Sequence, residues 1–248
     1  MTTLATKNLT VSIADNVLLR EFNITFLPGE IWGILGPNGA GKTTFLHTLA
    51  GLHEPTTGKV SLNDTDIQKI KPKMRAQKIG LLLQDTEFLF PSTVLETAMM
   101  GRYPYSKHWF YTPNDDIKIT KQSLAHTQLT SFEQRSITTL SGGEKRRLAL
   151  ATLLTQDPDI YLLDEPTNHL DIQQKVKALS LLRDLAKQKN KTVIMILHDL
   201  HLIRMFCDNL ILMGTNGKNI FGPCADLLDD KILGQFFPEE VLEIYSNI

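Results

Sequence analysis

A short apolar run, Ile31-Trp32-Gly33-Ile34-Leu35, passes directly into Gly36-Pro37-Asn38-Gly39-Ala40-Gly41-Lys42-Thr43-Thr44, and helical character follows from Lys42 to Leu52. The pattern G-x-x-x-x-G-K-[ST] requires a buried strand to deliver the loop and a helix to leave it, so it commits this part of the chain to an α/β core. Glycines let successive backbone N–H groups turn inward around an anion, and the helix N-terminus adds partial positive charge. In that geometry Lys42 reaches the β- and γ-phosphates of a nucleotide and Thr43 offers its hydroxyl to Mg²⁺. Gly36, Pro37, Asn38, Gly39, Ala40, Gly41, Lys42, Thr43 and Thr44 are therefore the candidate phosphate cradle.

Two further buried strands are legible at 160–163 and 192–197, with a helix predicted over 172–189 between them. Strand, helix and strand in that order imply parallel pairing. Residues 4–13 and 17–27 alternate apolar with polar and read as antiparallel strands, closed by the turn Pro28-Gly29-Glu30. From about 93 to 155 the pattern is mostly helical, interrupted by Tyr103 to Tyr111, which reads as a loop because it holds prolines and lacks a period. This stretch is read as a helical lobe inserted in the core. Asn216-Gly217 predicts a hairpin turn between 210–213 and 219–221, with amphipathic helices from there to the end. No internal repeat or low-complexity tract is found.

Acidic and polar residues stand where these strands end. Asp164-Glu165 closes the strand at 160–163, and the carboxyl ends of parallel strands face the ligand crevice. Asp164 is expected to hold Mg²⁺ through water, and Glu165 to polarise the water that attacks the γ-phosphate. His198 closes the next strand and is placed to sense the γ-phosphate. Gln84 follows the strand-like 79–83 segment and is a candidate for Mg²⁺ or the attacking water.

Composition narrows the partners. The 26 basic and 27 acidic residues are interspersed and sum to −1, which provides no global field for nucleic acid or an anionic membrane. The start MTTLATKNLTVSIADN has no basic segment followed by an apolar run, and no stretch approaches the roughly 20 apolar residues of a spanning helix. A cytoplasmic subunit with only local membrane contact is expected. Cys207 and Cys224 match no zinc or redox spacing and suit a reducing compartment.

Leu140-Ser141-Gly142-Gly143-Glu144-Lys145 resembles the ABC signature motif and stands 23 residues before Asp164. With the phosphate loop at 36–44, Gln84 as Q-loop, Asn168-His169-Leu170-Asp171 as D-loop and His198 as switch histidine, the resemblance to the ABC ATPases covers nearly the whole chain. It implies a phosphate-loop NTPase core with an antiparallel β part (2–90 and 156–225), a helical lobe at 91–155, an ATPase domain over 2–237 and a helical tail at 226–248. ATP and Mg²⁺ are the implied ligands, with Asp171 of the D-loop in the nucleotide site. The resemblance also implies a head-to-tail dimer in which Ser141, Gly142 and Gly143 of one subunit complete the site built on Lys42 and Glu165 of the other. Their physical logic is a hydroxyl and free N–H groups at the start of a helix.

Two positions depart from the family pattern. Ile13 stands where an aromatic side chain usually stacks on adenine and offers only apolar contact. Glu144 replaces the common Gln, a change expected to leave the backbone donors intact while adding negative charge near the phosphates. Met100-Gly101-Arg102-Tyr103-Pro104-Tyr105 resembles the "GR.P" segment of importer subunits for ferric siderophores, haem and vitamin B12. That branch implies two transmembrane permease subunits, a substrate-binding protein acting indirectly, and a peripheral position on the cytoplasmic face of the bacterial inner membrane. A soluble ATPase of the iron–sulphur assembly type and an exporter or lipid-transport subunit are the alternatives. The cargo is not written in this chain, because its contacts belong to the permease and the binding protein.

Overall fold

A computed structural model describes residues 2–14, 16–84, 91–106, 114–215 and 217–238. Its described strands divide between two sheets. The larger has the order β10-β9-β3-β8-β7-β6, formed by β3 (Ile31–Leu35), β6 (Ile79–Leu82), β7 (Ile160–Leu163), β8 (Thr192–Ile196), β9 (Asn209–Met213) and β10 (Asn219–Pro223). All its pairings are parallel except that of β9 with β10. The smaller is antiparallel, in the order β2-β1-β4-β5, from β1 (Leu4–Ile13), β2 (Asn16–Phe26), β4 (Thr57–Leu62) and β5 (Thr65–Asp66).

Apart from Thr192, the central strands carry only apolar or aromatic side chains, because both of their faces are covered. Their side chains alternate between two cores. Ile31, Leu35, Tyr161, Leu163, Val193 and Met195 join the cluster under α5 (Gly142–Gln156) and α6 (Ile172–Lys189). Trp32, Ile34, Ile160, Leu162, Ile194 and Ile196 join the opposite cluster, with Phe45, Leu46 and Leu49 of α1 (Lys42–Leu49) and apolar residues of the smaller sheet. The period of two thus fixes which layer lies on which side.

Helix α1 stops at Leu49, three residues short of the expected end. Gly51 takes φ 70°, its N–H donates to the Thr48 carbonyl, and the Leu52 N–H donates to that of His47. This glycine C-cap ends the helix. Residues 57–66 form a hairpin that the sequence reading did not mark; Asn63 and Asp64 both have positive φ at its turn. The remaining core helices are α2 (Pro72–Ala76), α7 (Leu200–Phe206), α8 (Cys224–Leu227) and α9 (Asp230–Leu233). Of the expected terminal helices, only α8 and α9 fall within the described residues, as does Gly217 (φ 74°) but not Asn216 of the hairpin turn.

Helices α3 (Val94–Met99), α4 (Asn114–His126) and α5 share a separate core of Val94, Ala98, Leu124, Leu148 and Ala151. A capping box of Thr93 and Glu96 starts α3. The Tyr103–Tyr111 stretch is not a loop at its start: Met100–Tyr105 is a 3₁₀ helix, while residues 107–113 lie outside the described residues. Gly101 allows this helix to approach α5 so closely that a Cβ would stand 2.2 Å from the Thr152 carbonyl oxygen. Arg102 then bridges Asp116 at 2.7 Å and the Thr155 carbonyl at 3.2 Å, its guanidinium 4.0 Å from the Tyr105 ring centre. Cys207 and Cys224 are buried free thiols. No helix among the described residues is long and apolar enough to cross a membrane.

Candidate active site

Four parallel strands end on the same side of the larger sheet, and each delivers one part of the site. β3 opens into the glycine loop, β7 into Asp164-Glu165, β8 into His198 and β6 into Gln84. Parallel pairing brings these distant segments together.

Gly39 and Gly41 have φ of 82° and 89°, a region costly for residues with a Cβ. Gly36 is required for a different reason: a Cβ there would lie 2.1 Å from the Met213 carbonyl oxygen of β9. Lys42 is buried, and its Nζ donates to the carbonyls of Gly36 at 2.8 Å and Pro37 at 3.0 Å. Burial lowers its pKa, and the nearby Glu165 and Asp164 oppose that shift. A cleft of about 630 Å³ opens over the loop, lined by Ile13, Asn16, Leu18, Asn38, Gly39, Gly41, Lys42, Thr43, Thr44, Gln84 and Glu165. Ile13, 51% exposed, lies at this cleft as an apolar surface.

Thr43 Oγ1 donates to Asp164 Oδ2 at 2.7 Å. The other oxygen, Oδ1, is enclosed and has no hydrogen-bond partner among the described residues, and Asp164 is 1% exposed. Burial pushes the Asp164 carboxyl up, with the Thr43 hydrogen bond opposing. An enclosed carboxylate oxygen without a partner is costly unless a cation meets it. Among the described residues no group of three or more His, Cys, Asp or Glu could hold a metal. One carboxylate beside one hydroxyl fits Mg²⁺, which keeps waters and substrate oxygens as its remaining ligands.

Glu165 stands at φ 49°. Its Oε1 lies 2.6 Å from His198 Nε2, while Oε2 accepts from Asn168 Nδ2 and, at 3.4 Å, from Gln84 Nε2. Burial would raise this carboxyl, but the hydrogen bonds from His198 and Asn168 prevail and hold it below the ordinary glutamate range. Glu165 is therefore an ionised acceptor held from three directions, between the strand ends that carry Gln84 and His198.

Ser141 N-caps α5. Its hydroxyl accepts from the Glu144 N–H at 3.3 Å, and Glu144 Oε2 accepts from the Ser141 N–H at 2.7 Å. Of the N–H groups expected to be free at the start of α5, that of Ser141 is therefore taken within the cap, a bond that Gln at position 144 would make equally. Glu144 Oε1 also lies 3.4 Å from Arg135, which offsets its charge. Ser141 and Gly142 are exposed at the surface. A Cβ on Gly143 would stand 3.0 Å from the His169 carbonyl oxygen, so the start of α5 packs on the 168–171 turn. Asp171 caps α6, accepting from the Gln174 N–H at 2.8 Å.

Two participants were not anticipated from sequence. The sequence marks Asn168 only as part of the D-loop, yet its amide holds the Glu165 carboxylate. Arg146, inside a charged run that reads as solvated surface, is 5% exposed and donates to four carbonyls around Gln84 and Glu165. No periodicity or spacing singles it out.

The ABC transporter family model matches residues 19–168. The petrobactin import ATP-binding protein FpuD of Bacillus anthracis is 35% identical over 237 residues, spanning 96% of this chain and 87% of the relative. The iron(3+)-hydroxamate import ATP-binding protein FhuC of Bacillus subtilis is 32% identical, spanning 96% of this chain and 88% of its own. Among solved structures, the post-hydrolysis dimer of the ATP-binding cassette MJ0796 bound to ADP and Pi superposes with a TM-score of 0.77 at 27% identity, covering 89% of this chain and 98% of the cassette.

Proposed function

This chain belongs to the ABC transporter family as an ATP-binding and ATP-hydrolysing subunit, and from that premise we propose that it powers import of a metal chelate or corrinoid through two permease subunits. The relatives named as import ATP-binding proteins for petrobactin and iron(3+)-hydroxamate support an iron-complex cargo, and a cobalamin import ATP-binding protein of Halobacterium salinarum, 33% identical but only 58% covered, keeps the corrinoid class in view. A substrate-binding protein would deliver the cargo, and the subunit would sit peripherally on the cytoplasmic face. Exposed Met100 and Tyr103, on the 3₁₀ helix between α3 and α4, offer an apolar contact for a permease.

The observation that carries the enzymatic reading is the Glu165 carboxylate, ionised and held by His198, Asn168 and Gln84 beside the Thr43–Asp164 pair. In the proposed reaction Lys42 exchanges the carbonyls of Gly36 and Pro37 for phosphate oxygens, while loop N–H groups from Gly39 to Thr44 surround the anion. Thr43 and Asp164 would hold Mg²⁺, which supplies charge neutralisation across the β- and γ-phosphates. Glu165 accepts a hydrogen bond from the attacking water and draws its proton away as the water oxygen bonds to the γ-phosphorus and the bridging oxygen leaves with ADP. Gln84 orients that water, and His198 keeps Glu165 aligned and reads the γ-phosphate. Ser141, Gly142 and Gly143 would bind the γ-phosphate held by a second copy in a two-fold, head-to-tail dimer that closes on two nucleotides, with Asp171 at the joint.

Glu165→Gln tests this directly: ATP binding persists, turnover is lost, and ATP converts the protein to a dimer on size exclusion. Hydrolysis by this variant at the wild-type rate would refute the assignment. For the transport reading, purification from native membranes is decisive, since isolation with soluble scaffold proteins alone would contradict it.

A further inference from the structure

Arg146 crosses from the helical lobe to the larger sheet. Its Nη1 donates to the carbonyls of Leu83 at 2.6 Å and Gln84 at 3.1 Å, and its Nη2 donates to those of Asp164 and, at 2.7 Å, Glu165. These four acceptors lie at the ends of two neighbouring strands, β6 and β7. They belong to the main chain that carries the Gln84 side chain and both carboxylates of the site. A planar guanidinium holds its donors in a fixed fork and can span such a set, whereas a lysine ammonium is a single point of charge. Glu165 meanwhile sits at φ 49°, a conformation that persists only where its surroundings impose it. The Arg146 fork fixes the carbonyls of Asp164 and Glu165, which flank the Glu165 Cα, and so helps to impose it.

We propose that Arg146 is a positioning residue for ATP hydrolysis: its guanidinium locks the backbone under Gln84 and Glu165 and ties it to α5, so that the Glu165 carboxylate is set only while α5 is seated on the sheet. This rests on Glu165 being the carboxylate that works on water. Ser141 caps the same helix little more than one turn before Arg146. A contact made at the exposed cap therefore reaches Glu165 through a single rigid element, without passing through the glycine loop.

The test uses the full chain with Arg146→Lys and Arg146→Gln, and Glu165→Gln as reference, measuring ATP affinity by titration and steady-state kcat and KM per ATP-binding molecule. Both Arg146 variants are expected to bind ATP within about threefold of wild type, with KM little changed and kcat lower by roughly 10²-fold, the scale of a misplacement of about 1 Å at a reacting centre. An arginine that serves folding alone would lower the yield of ATP-binding protein and leave kcat per binding molecule unaltered. Wild-type kcat in Arg146→Lys overturns the proposal, as does failure of both variants to give ATP-binding protein. Wild-type turnover in Glu165→Gln instead overturns the reading of the carboxylate itself, whereas turnover lost there but retained in Arg146→Lys removes only the role given to Arg146.

Discussion

Gly41→Ala introduces two separable faults. The residue holds φ 89°, and an added Cβ would meet Leu18 Cδ1 at 2.7 Å, with Leu18 Cβ and Cδ2 each at 3.0 Å. Forcing alanine into the left-handed region costs about 1–2 kcal/mol. Overpacking against Leu18, itself only 5% exposed, adds about 1–3 kcal/mol. The two together come to about 2–5 kcal/mol, which for a chain of this size lowers Tm on the order of 10 °C. Leu18→Ala removes both Cδ contacts, the closer at 2.7 Å, keeps only the Cβ at 3.0 Å, and leaves φ untouched. In that background the cost of Gly41→Ala should fall toward the about 1–2 kcal/mol of the backbone alone, a coupling of up to about 1–3 kcal/mol between the two positions. Scanning calorimetry on wild type, both single variants and the double variant measures this cycle without ligand. Equal costs in the two backgrounds would show that Leu18 does not limit the space at Gly41 and would refute the packing half of the reasoning.

Asp164→Asn should raise the melting temperature of the ligand-free protein, because the buried carboxylate it replaces is disfavoured when charged. The same change should abolish the Mg²⁺-dependent part of the stabilisation by ATP, and a wild-type Mg²⁺ response would contradict the role given to Asp164. Glu144 is held below its ordinary pKa of 4.5 chiefly by the Ser141 N–H, so its contribution to stability is present above that value and is lost as pH falls through the lower folded value. Melts of wild type and Glu144→Gln should accordingly converge toward acid pH; a constant gap would exclude this origin. Gly101→Ala should destabilise the protein by about 3 kcal/mol or more, since the obstacle is main chain that no rotamer change can move, and urea denaturation checks it.

Much of this architecture can be read from the chain because its signals are local. The buried runs at 31–35 and 160–163 and the helix at 172–189 have the bounds that their apolar pattern and helix propensity predict. The hairpin at 57–66 carries weaker evidence: only Val60 and Leu62 of β4 are buried, and its turn relies on Asn63 and Asp64 rather than glycine. In the site, Lys42, Asp164 and His198 follow from loop chemistry and strand ends. Arg146 does not, because its partners are carbonyls far away in sequence, and carbonyls are common to every residue type. The same holds for Arg102, whose place in the "GR.P" segment is explained by packing between α4 and α5 as much as by any partner outside the chain.

The support of Gly36 by the carbonyl of Met213 has a consequence for how such a site tolerates change over generations. The phosphate loop leans on main chain, which every amino acid supplies alike, so substitutions that alter only the side chain at 213 leave the surface beneath the loop unchanged. The partner position has no such latitude, since any Cβ at residue 36 meets that same oxygen. Of the two positions in this contact, one can drift with the core around it while the other is confined to glycine.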